Sequence, residues 1–127
     1  MSWQAYIDQG LIGTNNVDEA AIFSIDGESL WAASKNFKIQ PEEMKIILDA
    51  FRDSSAVHSQ GFRVNNNKYT VINVTDKSLW AKKGKEGLVV VRTQQALLLA
   101  HHPDTVTTNA CVFTVENLGD YLTSVGY

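Results

Sequence analysis

The chain has 127 residues, of which 44% are hydrophobic and 20% are charged, and its formal net charge is −3. This size and balance predict one globular domain over residues 1–127 and exclude a disordered polar chain. The acidic charge argues against a general nucleic-acid coat. The single cysteine excludes both an internal disulfide and a zinc site built on several thiolates.

The sequence also lacks the features of a secreted or membrane-spanning protein. Its first residues contain no basic segment followed by an apolar stretch, and it has no apolar run of about 18 residues, the length that a membrane helix needs. We therefore expect no secretory signal and no membrane span. The lone cysteine is typical of a reducing compartment, so we expect the protein in the cytoplasm.

The first half of the chain predicts a helix, a hairpin and a second helix. Apolar and aromatic residues recur at helical spacing over residues 3–12. The pair Asp26-Gly27 is typical of a tight turn and joins two predicted strands, 20–24 and 30–34. A proline followed by two glutamates opens the second predicted helix, 41–52, because these residues favour a helix N-terminus.

The second half predicts consecutive strands and a closing helix. The strands are predicted at 62–64, 69–74, 78–82, 88–93 and 96–101. Three asparagines at 65–67 predict a turn, and two glycines within 83–87 predict a loop. A helix is predicted over 107–125, with Gly126 as its left-handed cap. Antiparallel strands with helices at both ends of the chain predict an α+β fold.

The histidines and the cysteine give little support for an enzyme. His101 and His102 are adjacent, so in a strand they point to opposite faces and cannot chelate one metal together. No nucleophile elbow, phosphate loop or zinc-protease helix occurs. Cys111 lies in the apolar stripe of the last predicted helix, where it is a core residue rather than a reactive thiol. An enzyme that uses His58 or His101 stays as a minor alternative.

Aromatic residues are concentrated at both ends of the chain. Trp3 and Tyr6 lie one helical turn apart, and Tyr121, Leu122 and Tyr127 close the sequence. If the two terminal helices pack together on one sheet face, these residues become neighbours, with Trp31 between them. Such a groove suits a polyproline II segment, which is preformed and stacks on aromatic rings. The alternative is that the aromatic residues simply cap the core.

Basic residues are concentrated in the predicted loop near residue 84. Lys82, Lys83 and Lys85 lie in it or directly before it, and Arg92 follows on the next predicted strand. In an acidic chain this patch favours an acidic partner or an anionic lipid surface. The alternative is a solvated hairpin loop.

Four segments, in order along the whole chain, resemble the profilin family, especially the profilins of amoebae, fungi and plants. They are Ser2–Asp8 (SWQAYID), Ser29–Ser34 (SLWAAS), Leu79–Gly84 (LWAKKG) and Glu116–Leu122 (ENLGDYL), the last followed by Gly126-Tyr127. The resemblance implies a central antiparallel sheet with the N- and C-terminal helices on one face and further helix or helices on the other. It also implies a monomeric, non-enzymatic protein of the cytoplasm and cytoskeleton, without cofactor or metal.

The implied partners are monomeric actin, proline-rich proteins such as formins, and phosphatidylinositol bisphosphate. The polyproline site carried over from the resemblance is Trp3, Tyr6, Trp31, Tyr121, Leu122 and Tyr127. The actin-binding set is Lys68, Thr70, Ile72, Lys82, Lys83, Arg92, Asn109 and Phe113. The phosphoinositide set is Lys82, Lys83, Lys85 and Arg92. The alternative function is a phosphoinositide-responsive membrane-surface module with weak actin binding.

Overall fold

The computed structural model describes residues 2–35 and 37–127, which form an N-terminal helical segment, two strands, two helices, five consecutive strands and a last helix. The chain starts with an N-terminal helical segment made of α1 (Trp3–Ala5), a π-helical stretch (Tyr6–Leu11) and a 3₁₀ turn (Ile12–Thr14). The other helices are α2 (Pro41–Arg52), α3 (Ser55–Gln60) and α4 (Thr108–Ser124). The strands are β1 (Glu19–Ser24), β2 (Leu30–Ala33), β3 (Phe62–Val64), β4 (Asn67–Val74), β5 (Ser78–Lys83), β6 (Glu86–Arg92) and β7 (Ala96–His102).

The seven strands of the described residues form one antiparallel sheet in the order β2-β1-β7-β6-β5-β4-β3. The long hydrophobic strands β6 and β7 lie near its centre and are buried on both faces. Strands with helices on both sides read as continuous apolar runs rather than as an alternation. This explains why residues 88–91 and 96–100 are all hydrophobic.

Two hydrophobic cores lie on opposite faces of this sheet. One is built with α2 and α3 and includes Met44 and Ile47. The other is built with the N-terminal helical segment and α4, and includes Ile7, Leu11 and Leu122. The predicted α+β arrangement, with both terminal helices on one face, is therefore confirmed.

Two parts of the predicted secondary structure were wrong. The helix α3 was not predicted, because it is short and polar and buries only Val57, so it has no apolar periodicity. The predicted loop 83–87 is only a tight turn at residues 84–85, and Gly87 lies inside β6. A Cβ atom at residue 87 would collide with the ring of His102, so this glycine serves close packing and not a turn.

Candidate functional site

The N-terminal helical segment places its aromatic residues next to the end of the chain. The Ser2 hydroxyl accepts a hydrogen bond from the Ala5 N–H at 3.2 Å and caps the first turn. The buried Ile7 and Leu11 anchor the segment to the sheet, so Trp3 and Tyr6 stay near the surface, partly buried. The local sequence thus fixes which side of the helix packs inward.

Five aromatic rings meet at this surface, which we call the aromatic shelf: Trp3, Tyr6, Trp31, Tyr121 and Tyr127. The Trp3 ring lies 4.7 Å from Trp31, 5.0 Å from Tyr127 and 5.6 Å from Tyr6, between centroids. Tyr6 in turn lies 6.1 Å from Tyr121. These separations are those of favourable aromatic pairs, so the rings hold one another in place before any ligand arrives.

The shelf combines exposed apolar area with hydrogen-bond donors. Tyr121 is 50% exposed and Tyr127 is 40% exposed. Burial and a hydrogen bond with Tyr121 raise the pKa of Tyr6 above its ordinary value. Leu122, which was predicted with these residues, is fully buried and lies beneath the shelf, where it supports the rings without facing solvent.

A second surface lies on the same side of the sheet, where β4 and β5 extend beyond α4. Thr70 pairs with Lys82, so their side chains share a face, and Lys68 joins them by alternation. Trp80 of β5 packs against the core under α4, which identifies that face. We call this surface the open face, and its residues are Lys68, Thr70, Ile72, Lys82, Asn109 and Phe113.

The exposed stripe of α4 borders the open face. Phe113 is 68% exposed and Ile72 of β4 is 48% exposed, so the stripe and the strand both present apolar area to solvent. The carboxylate of Glu116 accepts a hydrogen bond from the Ser78 hydroxyl of β5, and this bond fixes the stripe beside the strand. Residues from the sheet and from the helix thus form one continuous surface.

The side chains of Arg92 and Lys83 make contacts on the α2 side of the sheet, although Arg92 also lines a cavity with Glu116 and Asp120 of α4. The Arg92 guanidinium lies 4.9 Å from the ring centroid of Phe51, which belongs to α2 on the opposite side of the sheet. Lys83 donates a hydrogen bond to Asn67, which shares the α2 side with Tyr69. Successive strand residues point to opposite faces. Lys83 and Arg92 are therefore separated from the other residues of the predicted actin-binding set.

Arg92 is also distant from the lysines of the hairpin turn. It ends β6, whereas Lys85 precedes the start of that strand, so the two lie about 20 Å apart along it. Lys82 and Lys85 do line a common cleft of about 360 Å³ with the first residues of α4. The predicted phosphoinositide set is therefore not one patch, and of its members only Lys82 and Lys85 line the same cleft.

Comparison with known proteins agrees with this architecture. The profilin family model matches residues 1–127. Profilin-A of Physarum polycephalum is 43% identical and the profilin of Schizosaccharomyces pombe is 39% identical, each over 100% of both chains. The solved structure of Acanthamoeba castellanii profilin II has a TM-score of 0.93 at 36% identity and covers 99% of this chain and 100% of its own. The chain belongs to the profilin family.

Membership of the profilin family gives the general activity of the chain. It is an actin-monomer-binding protein that regulates actin polymerisation and binds proline-rich ligands. Mouse profilin IIa, solved in complex with a double repeat from the FH1 domain of mDia1, shares the fold with a TM-score of 0.83 at 22% identity. No helix among residues 2–35 and 37–127 is long and apolar enough to cross a membrane.

Two of the histidines, His101 and His102, have partners within the fold, whereas the His58 side chain is exposed. Nδ1 of His101 lies 2.6 Å from an Asp18 carboxylate oxygen, and Nε2 lies 3.1 Å from Glu86. Asp18, Glu19 and His101 bring potential metal ligands within 4.8 Å of one another, but both nitrogens of this ring already contact carboxylates. His102 contacts the Thr108 hydroxyl on the other face of the sheet. The two side chains diverge, as the strand pattern predicted.

Cys111 is a core residue of α4. Its side chain is fully buried, and burial raises the pKa of the thiol to about 12. A thiol of this kind is protonated and inaccessible at neutral pH, so it is neither a nucleophile nor a metal ligand.

Two polar features near these surfaces were not found from the sequence. A cavity of about 650 Å³ lies between the β4–β5 connection and the second half of α4, and Thr93 lines it. Thr93 and Gln95 also hydrogen-bond to the last residues of the chain. Both belong to the short β6–β7 turn, where polar residues are ordinary, so no sequence pattern distinguishes them.

Proposed function

We propose that the aromatic shelf is the surface on which this profilin binds proline-rich segments. The observation that supports it is the contact of Trp3 with Tyr6 of its own segment, with Trp31 of β2 and with Tyr127 at the chain end, at 4.7 to 5.6 Å. A polyproline II helix has no internal hydrogen bonds, so its carbonyls accept from the indole and phenol groups while its rings stack. Leu122 supports this site from below.

The test is a titration of intrinsic tryptophan fluorescence with oligoproline. We expect Trp3→Ala to lose about 2 kcal/mol or more of binding free energy, because central aromatic residues are typical hot spots. Trp80→Phe is the matched control, since Trp80 lies away from the shelf, on the open-face side of α4. Wild-type affinity in the Trp3 variant would refute the assignment.

We propose that the open face is the actin-binding surface. Its exposed Phe113 and Ile72 supply apolar contacts, and Lys68 and Lys82 supply positive charge that favours an acidic partner surface. It shares no residue with the aromatic shelf, so both ligands bind one molecule simultaneously. Actin sedimentation with and without oligoproline tests this, and competition between the ligands would contradict it.

We propose phosphoinositide binding at Lys82 and Lys85 as a second function. These lysines line the cleft beside the first turn of α4, whose backbone N–H groups favour an anion. Asp104 lines the same cleft and weakens its positive potential. The test is cosedimentation with phosphatidylcholine vesicles with and without phosphatidylinositol bisphosphate. Lys82→Glu/Lys85→Glu should lose lipid binding, whereas Arg92→Glu, at the far end of β6, should keep it.

We further propose that residues 1–127 form a single monomeric domain of the cytoplasm and cytoskeleton and that the protein regulates actin without catalysing a reaction. In this view the imidazoles of His101 and His102 serve stability, and the exposed His58 has no role in either binding surface. His58→Ala and His101→Ala should therefore leave actin and oligoproline binding in place after correction for the folded fraction. Loss of function in either folded variant would contradict this.

A further inference from the structure

The last three residues keep a defined position although they lie beyond the final helix. The helix α4 ends at Ser124, and Gly126, at φ 100°, reverses the chain direction. Terminal residues of a domain are poorly ordered unless specific contacts hold them. The Tyr127 ring remains substantially exposed, so packing against Trp3 alone gives it limited support.

The β6–β7 turn supplies the contacts that hold this segment. The Tyr127 carbonyl oxygen accepts hydrogen bonds from the Gln95 N–H at 2.6 Å and from the Thr93 hydroxyl at 2.7 Å. The Gly126 carbonyl accepts from the Gln95 side-chain amide at 2.7 Å. From the other direction, the Tyr127 N–H donates to the Leu122 carbonyl at 2.8 Å.

The same turn also holds the element that carries Trp31. The Gln95 carbonyl accepts a hydrogen bond from the Ile25 N–H at 3.0 Å, and Ile25 lies in the connection between β1 and β2. Trp31 belongs to β2 and is the ring closest to Trp3 in the shelf. One turn, outside the shelf itself, is therefore connected to two of the elements that form it.

We propose that Thr93 and Gln95 are positioning residues of the proline-binding surface, which they serve by fixing Tyr127 opposite Trp3. This inference rests on the proposed function of the aromatic shelf. Without these bonds the last residues adopt many conformations, and the ligand must order them when it binds, which lowers its affinity. Neither residue touches the ligand in this view, and each acts through the position of the Tyr127 ring.

The test is a double-mutant cycle in which the affinity of each variant for oligoproline is measured. One arm compares the wild type with Thr93→Val/Gln95→Leu, which removes the two side-chain donors while keeping similar volume. The other arm makes the same pair of changes in a Tyr127→Ala background, where the ring is absent but the backbone carbonyl is kept. Gln94→Leu is the matched control, because among the described residues Gln94 makes no hydrogen bond to the chain end.

Loss of the two side-chain hydrogen bonds to the chain end predicts a roughly tenfold weaker affinity in the first arm. Thr93→Val also removes the oxygen that accepts from the Ala96 N–H within the turn, and the second arm accounts for this loss because it occurs in both backgrounds. In the Tyr127→Ala background we expect a change below about twofold, because the positioned ring is already gone. Thr93→Ser keeps the hydroxyl, so it should keep the part of the oligoproline affinity that is lost in Thr93→Val. An equal loss in both backgrounds would overturn the proposal, since it would indicate a general structural effect, and so would no loss in the first arm.

Each single variant repeats the test if the double variant does not fold, with circular dichroism to measure the folded fraction. The outcome for Trp3→Ala separates the two proposals. If Trp3→Ala binds as the wild type does, the shelf is not the proline site. If Trp3→Ala fails to bind while the turn variants bind normally, only the positioning role is refuted.

Discussion

The aromatic shelf and the open face lie on the same side of the sheet but are built differently. The shelf rings contact one another at centroid separations of 4.7 to 6.1 Å, so they are ordered without a ligand. The side chains of the open face stand apart, and Phe113 has no ring contact among the described residues. A preorganised site concentrates binding energy in a few residues, whereas an open surface spreads it over many.

The largest effect should come from removing support beneath the shelf. Leu122→Ala leaves a cavity at a fully buried site and should cost about 2–5 kcal/mol of unfolding free energy, measured by urea denaturation. Tyr121→Ala, one residue away and exposed, should weaken oligoproline binding with little change in stability. Equal stability losses in the two variants would contradict the distinction between support and contact.

A smaller effect is expected on actin binding, and it should differ between two adjacent lysines of β5. Lys82→Glu changes the charge of the open face and should weaken actin binding about five- to tenfold, because it introduces like-charge or unpaired contacts. Lys83→Glu makes the same change on the opposite side of the strand and should be nearly neutral for actin. Pyrene-actin assays measure the actin affinity of both variants. Equal losses of affinity would contradict the assignment of the open face.

Arg92 should act on stability rather than on binding. Arg92→Leu keeps part of the side-chain packing but removes the guanidinium over Phe51 and the hydrogen bond from Nε to the Asp76 carbonyl. We expect a loss of about 1 kcal/mol in unfolding free energy. Actin and lipid binding should stay within about twofold of the wild type, because Arg92 belongs to neither proposed binding surface. If Arg92→Leu lost as much actin or lipid affinity as Lys82→Glu does, Arg92 would have to be counted among the binding residues.

The smallest effect should be a pH dependence in the β1–β2 turn. The Ser24 hydroxyl and then the Glu28 N–H hydrogen-bond to Asp26 and lower the pKa of its carboxyl. This contribution to stability is present above the ordinary aspartate pKa of about 4 and is lost as the pH falls through the lower folded-state value. Asp26→Asn should therefore be less stable than the wild type at neutral pH, with a smaller difference in acid. A urea midpoint difference that does not shrink in acid would contradict this.

Local sequence features predicted most of the elements correctly. The second helix was predicted at its observed bounds because a proline and two glutamates fix its start and an apolar stripe fixes its face. The Asp26-Gly27 pair predicted the first hairpin because positive φ at Gly27 is a local property. Features that depend on residues close in sequence could therefore be predicted from the sequence alone.

The aromatic residues of the binding surfaces were grouped correctly from the sequence, whereas the basic residues were not. The aromatic shelf was expected from the resemblance and from the unusual aromatic residues at the chain ends, and the structure brings those rings together. The basic residues were grouped by closeness in sequence, and the structure separates Lys83 and Arg92 from Lys82. The alternation of strand residues was the information that this grouping left out.

By itself, the sequence determined the order of the elements, the apolar faces and the family to which the chain belongs, because helix starts, turns and periodicity depend on near neighbours. Only the tertiary structure decided which charges share a surface, why Gly87 must be a glycine and what holds Tyr127 beside Trp3. Those facts depend on contacts between residues far apart in the chain, such as Gln95 with Tyr127 and Gly87 with His102. Such contacts form only when the sheet brings its strands and the chain end together.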